Sequence, residues 1–174
     1  MARRYSEVRG RPLSLFEAGG EAFVSSKPGA WFFVHVVNRI DKRILPLTKG
    51  RWSFSGPTQN VGLLITTGAK SGQSRATPLQ FIADGERVLL VASAGAAPSD
   101  PSWAFNLRKH SACSFLYDGV EGRYTAREAT GDERSRAWAR AVDWYQGYAR
   151  YEARTTRQIP VFILEPAVVT GSTG

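Results

Sequence analysis

The chain is poor in the residues that mark several common kinds of site: its 174 residues include one cysteine, one methionine and two histidines. The lone thiol of Cys113 excludes an internal disulfide and a cysteine metal cluster, and its place in an alternating apolar segment reads as buried and inert. His35 and His110 stand alone, without the spacing of metal ligands, and read as packing or surface residues. No apolar run is long enough to span a bilayer, and Met1–Glu7 does not lead into a signal-peptide core. Together with an unpaired thiol suited to reducing conditions, these absences make the cytoplasm the expected compartment. The sequence also offers no catalytic carboxylate pair and no nucleophile triad.

Acidic charge is the other scarcity: 15 Asp/Glu against 23 Lys/Arg give a net charge of +8. Residues 1–51 hold ten Lys/Arg and four Asp/Glu, net +6, whereas residues 52–174 hold thirteen and eleven, net +2. The basicity therefore belongs to an N-terminal arm and not to a groove across the body. Arg3, Arg4, Arg9 and Arg11 are not interleaved with stacking aromatics, which argues against nucleic acid as the partner. Trp31, Phe32 and Phe33 beside Arg39, Lys42 and Arg43 fit a helix lying in an anionic membrane surface, peripheral at the inner face of the cell membrane. The alternative is a helix that packs its apolar face on the body or on a second subunit, and the chain is expected to be a monomer or a homodimer.

With 43% hydrophobic content the chain can bury one ordinary core. Ser14-Leu15-Phe16-Glu17 has the form of a capping box and can start a short helix. Pro28 suits the first turn of a longer helix reaching about Leu45, with Phe33, Val36, Val37, Ile40 and Ile44 on one stripe and Asn38, Arg39, Asp41, Lys42 and Arg43 over much of the rest. Thr48–Asn60 is a Gly/Ser/Thr/Pro-rich linker. Strands are predicted at Val61–Thr67, Arg75–Ile82, Arg87–Ser93, Ala112–Tyr117, Tyr124–Glu128 and Pro160–Glu165, with turns at Asp84-Gly85 and Asp118-Gly119. Asp100-Pro101 opens a short helix through Trp103 and Leu107, and Gly131-Asp132-Glu133 opens another with Trp138, Ala141, Val142 and Tyr145 on its apolar stripe. Five or six strands with two inserted helices predict an α+β antiparallel barrel over residues 51–174, preceded by a basic helical arm over residues 1–50.

The segment Leu63–Leu79 carries the most chemistry. It reads as a buried strand, a glycine-bounded turn loaded with anion donors, and a second strand. Ala69 stands where a P-loop needs glycine before its Lys-Ser pair, and Pro78 forbids the helix that would follow, so nucleotide triphosphate chemistry is excluded. Lys70, Ser71, the amides of Gly72 and Gln73, and Arg75 can instead hold a phosphate; the competing reading is a solvated hairpin.

Four ordered segments resemble the deazaflavin-dependent nitroreductase family. They are Thr66–Gly72 with Arg75, Pro78 and Leu79; Val91–Pro98; Pro101–Leu107; and Trp144–Tyr151 leading to Ile159-Pro160-Val161 and Glu165-Pro166. The match runs in order from about Val61 to Pro166. The resemblance implies a split β-barrel, coenzyme F-420 as cofactor with FMN as the alternative, and hydride transfer from the reduced coenzyme to a small-molecule acceptor of enone, quinone or nitro type. It places Lys70, Ser71, Gly72, Gln73, Arg75, Thr77, Pro78, Ala94, Gly95, Trp103 and Asn106 at the coenzyme. Tyr148, Tyr151, Tyr145 and Ser93 fall at the acceptor and the deazaflavin ring. The tyrosines recur every third residue, so on a continuing helix they share one flank and can line a cavity; half-buried packing is the alternative. Family members usually have arginine at Ala69 and often lysine at Ala94. Those two alanines leave a second reading open, a barrel that has lost the coenzyme and binds a lipid, flavin or other planar ligand.

Overall fold

A computed structural model of the chain describes residues 38–51 and 60–167. The capping box at Ser14–Glu17, the helix start at Pro28, the aromatics Trp31–Phe33, the stripe residues Val36 and Val37, and the arginines at 3–11 lie outside the described residues.

The elements are α1 (Asn38–Leu47), β1 (Val61–Thr67), β2 (Ser74–Gln80), β3 (Ile82–Asp84), β4 (Arg87–Val91), a short 3-10 turn (Ala94–Ala96), α2 (Ser102–Lys109), β5 (Ala112–Tyr117), β6 (Val120–Glu128), α3 (Gly131–Trp144), α4 (Gly147–Glu152) and β7 (Val161–Pro166). The strands form one antiparallel sheet in the order β2-β1-β5-β6-β7-β4-β3. β2 and β3 lie at opposite ends of that order, yet only Phe81 separates Gln80 from Ile82. Two residues apart, Cα atoms are at most about 7.6 Å from one another, so the sheet has to curl until its ends meet. This is the expected α+β split barrel. The continuous strand predicted over Arg75–Ile82 is instead two, β2 and β3, joined at Phe81, whose N–H donates to Asn60 O at 3.0 Å in continuation of the β1–β2 register while Ile82 goes on to pair with β4.

The two-residue alternation of the strands divides the core between the faces of the sheet. Val88 and Leu90 of β4 and Phe162 and Leu164 of β7 join Leu64, Phe81, Phe115 and Trp103 in one cluster. Their neighbours Leu89, Val91, Val161 and Ile163 join Ala137, Ala141 and the three tyrosines in another, beneath α3 and α4. Strands buried on both faces explain why β4 and β7 are uninterrupted apolar runs. β6 starts at Val120, four residues before the predicted Tyr124. Its polar opening, Val-Glu-Gly-Arg, conceals a strand whose Gly122 lies under the Tyr124 ring, where a Cβ would meet Cε2 at 2.7 Å.

α1 belongs to the body. Leu45 is fully buried with Val61 and Leu63, a contribution of roughly 1.5–3 kcal/mol. The chain after α1 is tied to the β5–β6 turn, with Asp118 N–H donating to Gly50 O at 3.1 Å and Gly119 N–H to Lys49 O at 2.6 Å. The last part of the predicted arm is thus packed on the sheet. Asp41, placed off the apolar stripe of the helix, is fully buried, and the helix runs through Pro46 to Leu47.

Candidate active site

The β1–β2 turn is built to hold its own amides in place. Gly68 N–H donates to Gln73 O and Gly72 N–H to Gly68 O, both at 2.8 Å. A Cβ at Gly68 would stand 2.8 Å from Ser71 Oγ, and Gly72 has φ +67°, so both glycines are required by the geometry. Ser71 Oγ accepts from Gln73 N–H at 3.3 Å and from Arg75 Nη2 at 3.4 Å.

Asn106 fastens this turn to α2. Only 7% exposed, it accepts the Ala69 N–H at Oδ1 (2.8 Å) and donates from Nδ2 to Thr66 Oγ1 (3.0 Å). Its helix-surface alternative is overturned by that burial. Lys109, one turn further along α2, donates to Ala69 O at 2.7 Å. The same helix places Trp103, 4% exposed, edge-to-face on Phe162 with ring centroids 5.3 Å apart.

Turn and helix together enclose a cavity of about 650 Å³. Of the residues expected at the coenzyme, Lys70, Ser71, Arg75, Thr77, Trp103 and Asn106 line it, with Gly68 and Ala69. Sequence reasoning missed Lys42, Ala76, Asp100, Ser102 and Phe105 on its wall. Lys42 is the informative addition. The sequence places it among the basic residues of a helix that faces an anionic membrane or solvent, but α1 lies against β1 and β2 and brings the ammonium to the cavity. Three cations from three elements, Lys42, Lys70 and Arg75, therefore border one space. The acidic group at its wall, Asp100, is already paired with Arg157 at 2.7 Å and Arg108 at 2.8 Å.

Other expected residues lie elsewhere. Gly72 and Gln73 are exposed at the tip of the turn, and Pro78 is buried within β2 opposite Leu63. Ser93 is buried just after β4 and leads into Ala94 and Gly95 of the 3-10 turn.

The three tyrosines are 3–6% exposed and form one buried aromatic group. Tyr145 and Tyr148 meet edge-to-face at 5.2 Å, and each lies 6.3 Å from Tyr151. They are not on a continuing helix: α3 ends at Tyr145 in extended conformation (φ −147°, ψ 104°), and α4 restarts at Gly147. Gly147 permits the reversal because a Cβ there would lie 2.2 Å from the Tyr145 ring. Burial, with a smaller effect of Tyr151, pushes the Tyr148 hydroxyl well above the ordinary phenol range. Tyr151 is raised by burial too, opposed by a hydrogen bond with Tyr145 and by Arg154 and Arg150. The tyrosines pack against β4, β7 and the Ala94–Ala96 turn and do not line the cavity beside Trp103.

Residues 37–166 match the F-420H(2)-dependent quinone reductase family. An F-420H(2)-dependent quinone reductase of Mycobacterium tuberculosis is 32% identical over 141 residues, covering 77% of this chain and 95% of that protein. A solved structure described as an F-420-H2-dependent reductase, FDR-A, is 41% identical, with a TM-score of 0.57 over 61% of this chain and 94% of that one. Another, described as a domain-swapped dimer, is also 41% identical, with a TM-score of 0.58 over 61% of this chain and 80% of that one. The family match begins at residue 37 and so takes in α1.

Proposed function

The chain belongs to the F-420H(2)-dependent quinone reductase family, and we propose from that premise how its residues divide the work. It is a deazaflavin-dependent oxidoreductase of the split-barrel class that uses coenzyme F-420. The observation that carries the assignment of roles is the cavity between the β1–β2 turn and α2, with cations at its rim and Trp103 in its wall. The donor set fits the coenzyme, whose phosphodiester and polyglutamate tail are anionic. Lys42, Lys70 and Arg75 bind the charged end, and the turn amides of Gly68, Ala69, Gly72 and Gln73, engaged within the turn and by Asn106, fix the loop that carries Lys70. Lys42 also answers the loss of arginine at Ala69, which removes the main reason to read the barrel as a relative without coenzyme.

The bound coenzyme supplies a hydride, two electrons together, to a small-molecule acceptor. The protein's part is to orient the reactants and exclude water. Trp103, packed on Phe162, forms an apolar wall at the ring end. Ser93 presents its hydroxyl and backbone beside the small residues Ala94 and Gly95. Tyr148 keeps its proton at the phenol oxygen because burial raises its pKa, and the same burial makes it a weaker acid than a free phenol. Tyr145 and Tyr151 pack around it and shape the acceptor side.

We assign quinones as the acceptors. The net charge of +6 over residues 1–51 supports docking on an anionic membrane where lipid-soluble quinones reside, and Leu47, 84% exposed at the end of α1, is placed to join such a contact. Titration with oxidised coenzyme should quench tryptophan fluorescence saturably, the quenching should be largely lost in Trp103→Phe, and Lys70→Ala should shift the curve to higher concentration. Absence of saturable quenching at high micromolar coenzyme overturns the assignment of this cavity. Tyr148→Phe should retain the titration and slow menadione reduction; an unchanged rate removes its hydroxyl from the proton step.

A further inference from the structure

Arg157 lies between α4 and β7 with its side chain 16% exposed. Its guanidinium makes four hydrogen bonds in three directions. Nε donates to Ala97 O at 2.9 Å, Nη2 to Ala92 O and Ser93 O at 2.9 Å each, and Nη1 to Asp100 Oδ1 at 2.7 Å. Those carbonyls flank a turn in which three successive residues have positive φ: Ala94 (46°), Gly95 (66°) and Ala96 (67°). Two of the three are alanines, in a conformation that a Cβ disfavours. The turn therefore needs an external hold, and Arg157 grips it on both sides.

The contacts continue across the molecule. The second oxygen of Asp100 accepts from Arg108 Nη1 at 2.8 Å, and Arg108 Nε donates to Glu128 at 2.7 Å. Arg108 lies on α2, which carries Trp103 and Asn106 on another face, and Asn106 holds Ala69 of the anion-binding turn. At the other end, the segment bearing Arg157 follows directly on α4 with Tyr148 and Tyr151. Side-chain contacts thus run from Arg157 through Asp100 and Arg108 to α2 and from there to the cation-rimmed cavity, and the chain itself joins Arg157 to the tyrosine-bearing α4.

Resting on the assignment of roles above, we propose that Arg157 and Asp100 are positioning residues that keep the acceptor side and the coenzyme side of the site in one register. A planar guanidinium can bind three carbonyls and a carboxylate at once, and an ammonium on a flexible stem cannot. Arg157→Lys keeps the charge beside Asp100 and loses the multiple grip. Asp100→Asn keeps the shape and loses the charge that Arg157 and Arg108 share.

The test uses the full-length protein and three readouts: amide hydrogen exchange without coenzyme, the Kd for oxidised coenzyme F-420, and the KM values for reduced coenzyme and menadione. In Arg157→Lys, exchange over residues 92–100 should rise about tenfold (~1.4 kcal/mol) while β1 stays protected. The coenzyme Kd and both KM values should rise several-fold, with Asp100→Asn moving in the same direction. A merely structural role would lower the folded fraction, and so the apparent kcat, without moving Kd or KM. Unchanged exchange over 92–100 in both variants overturns the proposal, as does a loosened turn with unchanged Kd and KM. Wild-type protein that fails to bind coenzyme overturns the site assignment instead, and the exchange experiment tells the two failures apart because it needs no coenzyme.

Discussion

Asn106→Ala should loosen the β1–β2 turn at a calculable cost. The substitution removes the acceptor of the Ala69 N–H and the donor to Thr66 Oγ1. Each hydrogen bond is worth ~0.5–1.5 kcal/mol net, and the groups left behind sit where water reaches poorly, Thr66 being 3% exposed. Thr66 keeps only a long contact to Arg75 O at 3.5 Å. The sum is about 2–3 kcal/mol. At ~2–4 °C per kcal/mol for a chain of this size, the Tm should fall by about 4–12 °C. The turn retains its internal bonds and the tie from Lys109, so it should pivot and not melt, with coenzyme affinity falling about tenfold (~1.4 kcal/mol). Thr66→Val, which deprives only Asn106 Nδ2, should cost ~1 kcal/mol, and the double variant should show coupling of ~0.5–1 kcal/mol. Scanning calorimetry, urea unfolding and fluorescence titration supply the numbers. A Tm within about 2 °C of wild type refutes the energetic argument; a lowered Tm with unchanged Kd shows that Asn106 supports the fold and not the site.

Lys42→Ala should weaken coenzyme binding and flatten its salt dependence while leaving the Tm nearly unchanged, because Lys42 is exposed on α1; equal Kd values across 50–300 mM salt would remove it from the site. Ala69→Arg should tighten coenzyme binding, since Ala69 lines the cavity, whereas Ala94→Lys should not, since Ala94 does not; the reverse order in titration would relocate the acidic tail. Cys113, expected to be buried, is half-buried against the core, and that partial burial pushes its thiol up to about 12, so above the ordinary thiol value of about 8.5 the unfolded chain holds fewer protons than the folded one and stability falls as pH rises toward 12. Urea midpoints should decline between pH 8 and 10.5, less steeply in Cys113→Ala, with Tyr148 and Tyr151 adding to the loss above about pH 10 in the same direction. Parallel slopes for wild type and Cys113→Ala would show that the thiol is not held neutral.

The sequence disclosed what depends on local chemistry. β1 and β5 have the bounds predicted for them: β1 is a short apolar run closed by the glycine-bounded turn at Gly68, and β5 ends at an Asp118-Gly119 turn with φ of 47° and 80°. The turn at residues 68–73 and the helix of Trp103 and Asn106 were legible for the same reason. What was hidden depends on partners remote in sequence. Lys42 looked like any solvated cation until α1 was laid on β1 and β2. Asp41 lies off the apolar stripe of the helix, although it is buried. Arg157 sits in an unremarkable Thr-Thr-Arg-Gln run, and nothing local says that its partners lie 57–65 residues earlier. The tyrosine spacing suggested one helix, whereas Tyr145 is extended and packs its ring on Gly147, where a second helix starts.

The single-residue joint at Phe81 also bears on how the barrel avoids sticking to itself. An open sheet ends in rows of unpaired backbone groups that invite another chain to add a strand. Here the two outermost strands are consecutive in sequence, so a single residue joins their ends and turns the sheet's two borders toward one another, away from a long flat edge. β2 further carries Pro78, which has no N–H to offer a stranger, and β3 is only three residues long. A change that lengthens the joint, such as glycines inserted on either side of Phe81, would free both borders at once, and the protein would then be expected to associate through its strands long before its core lost its fold.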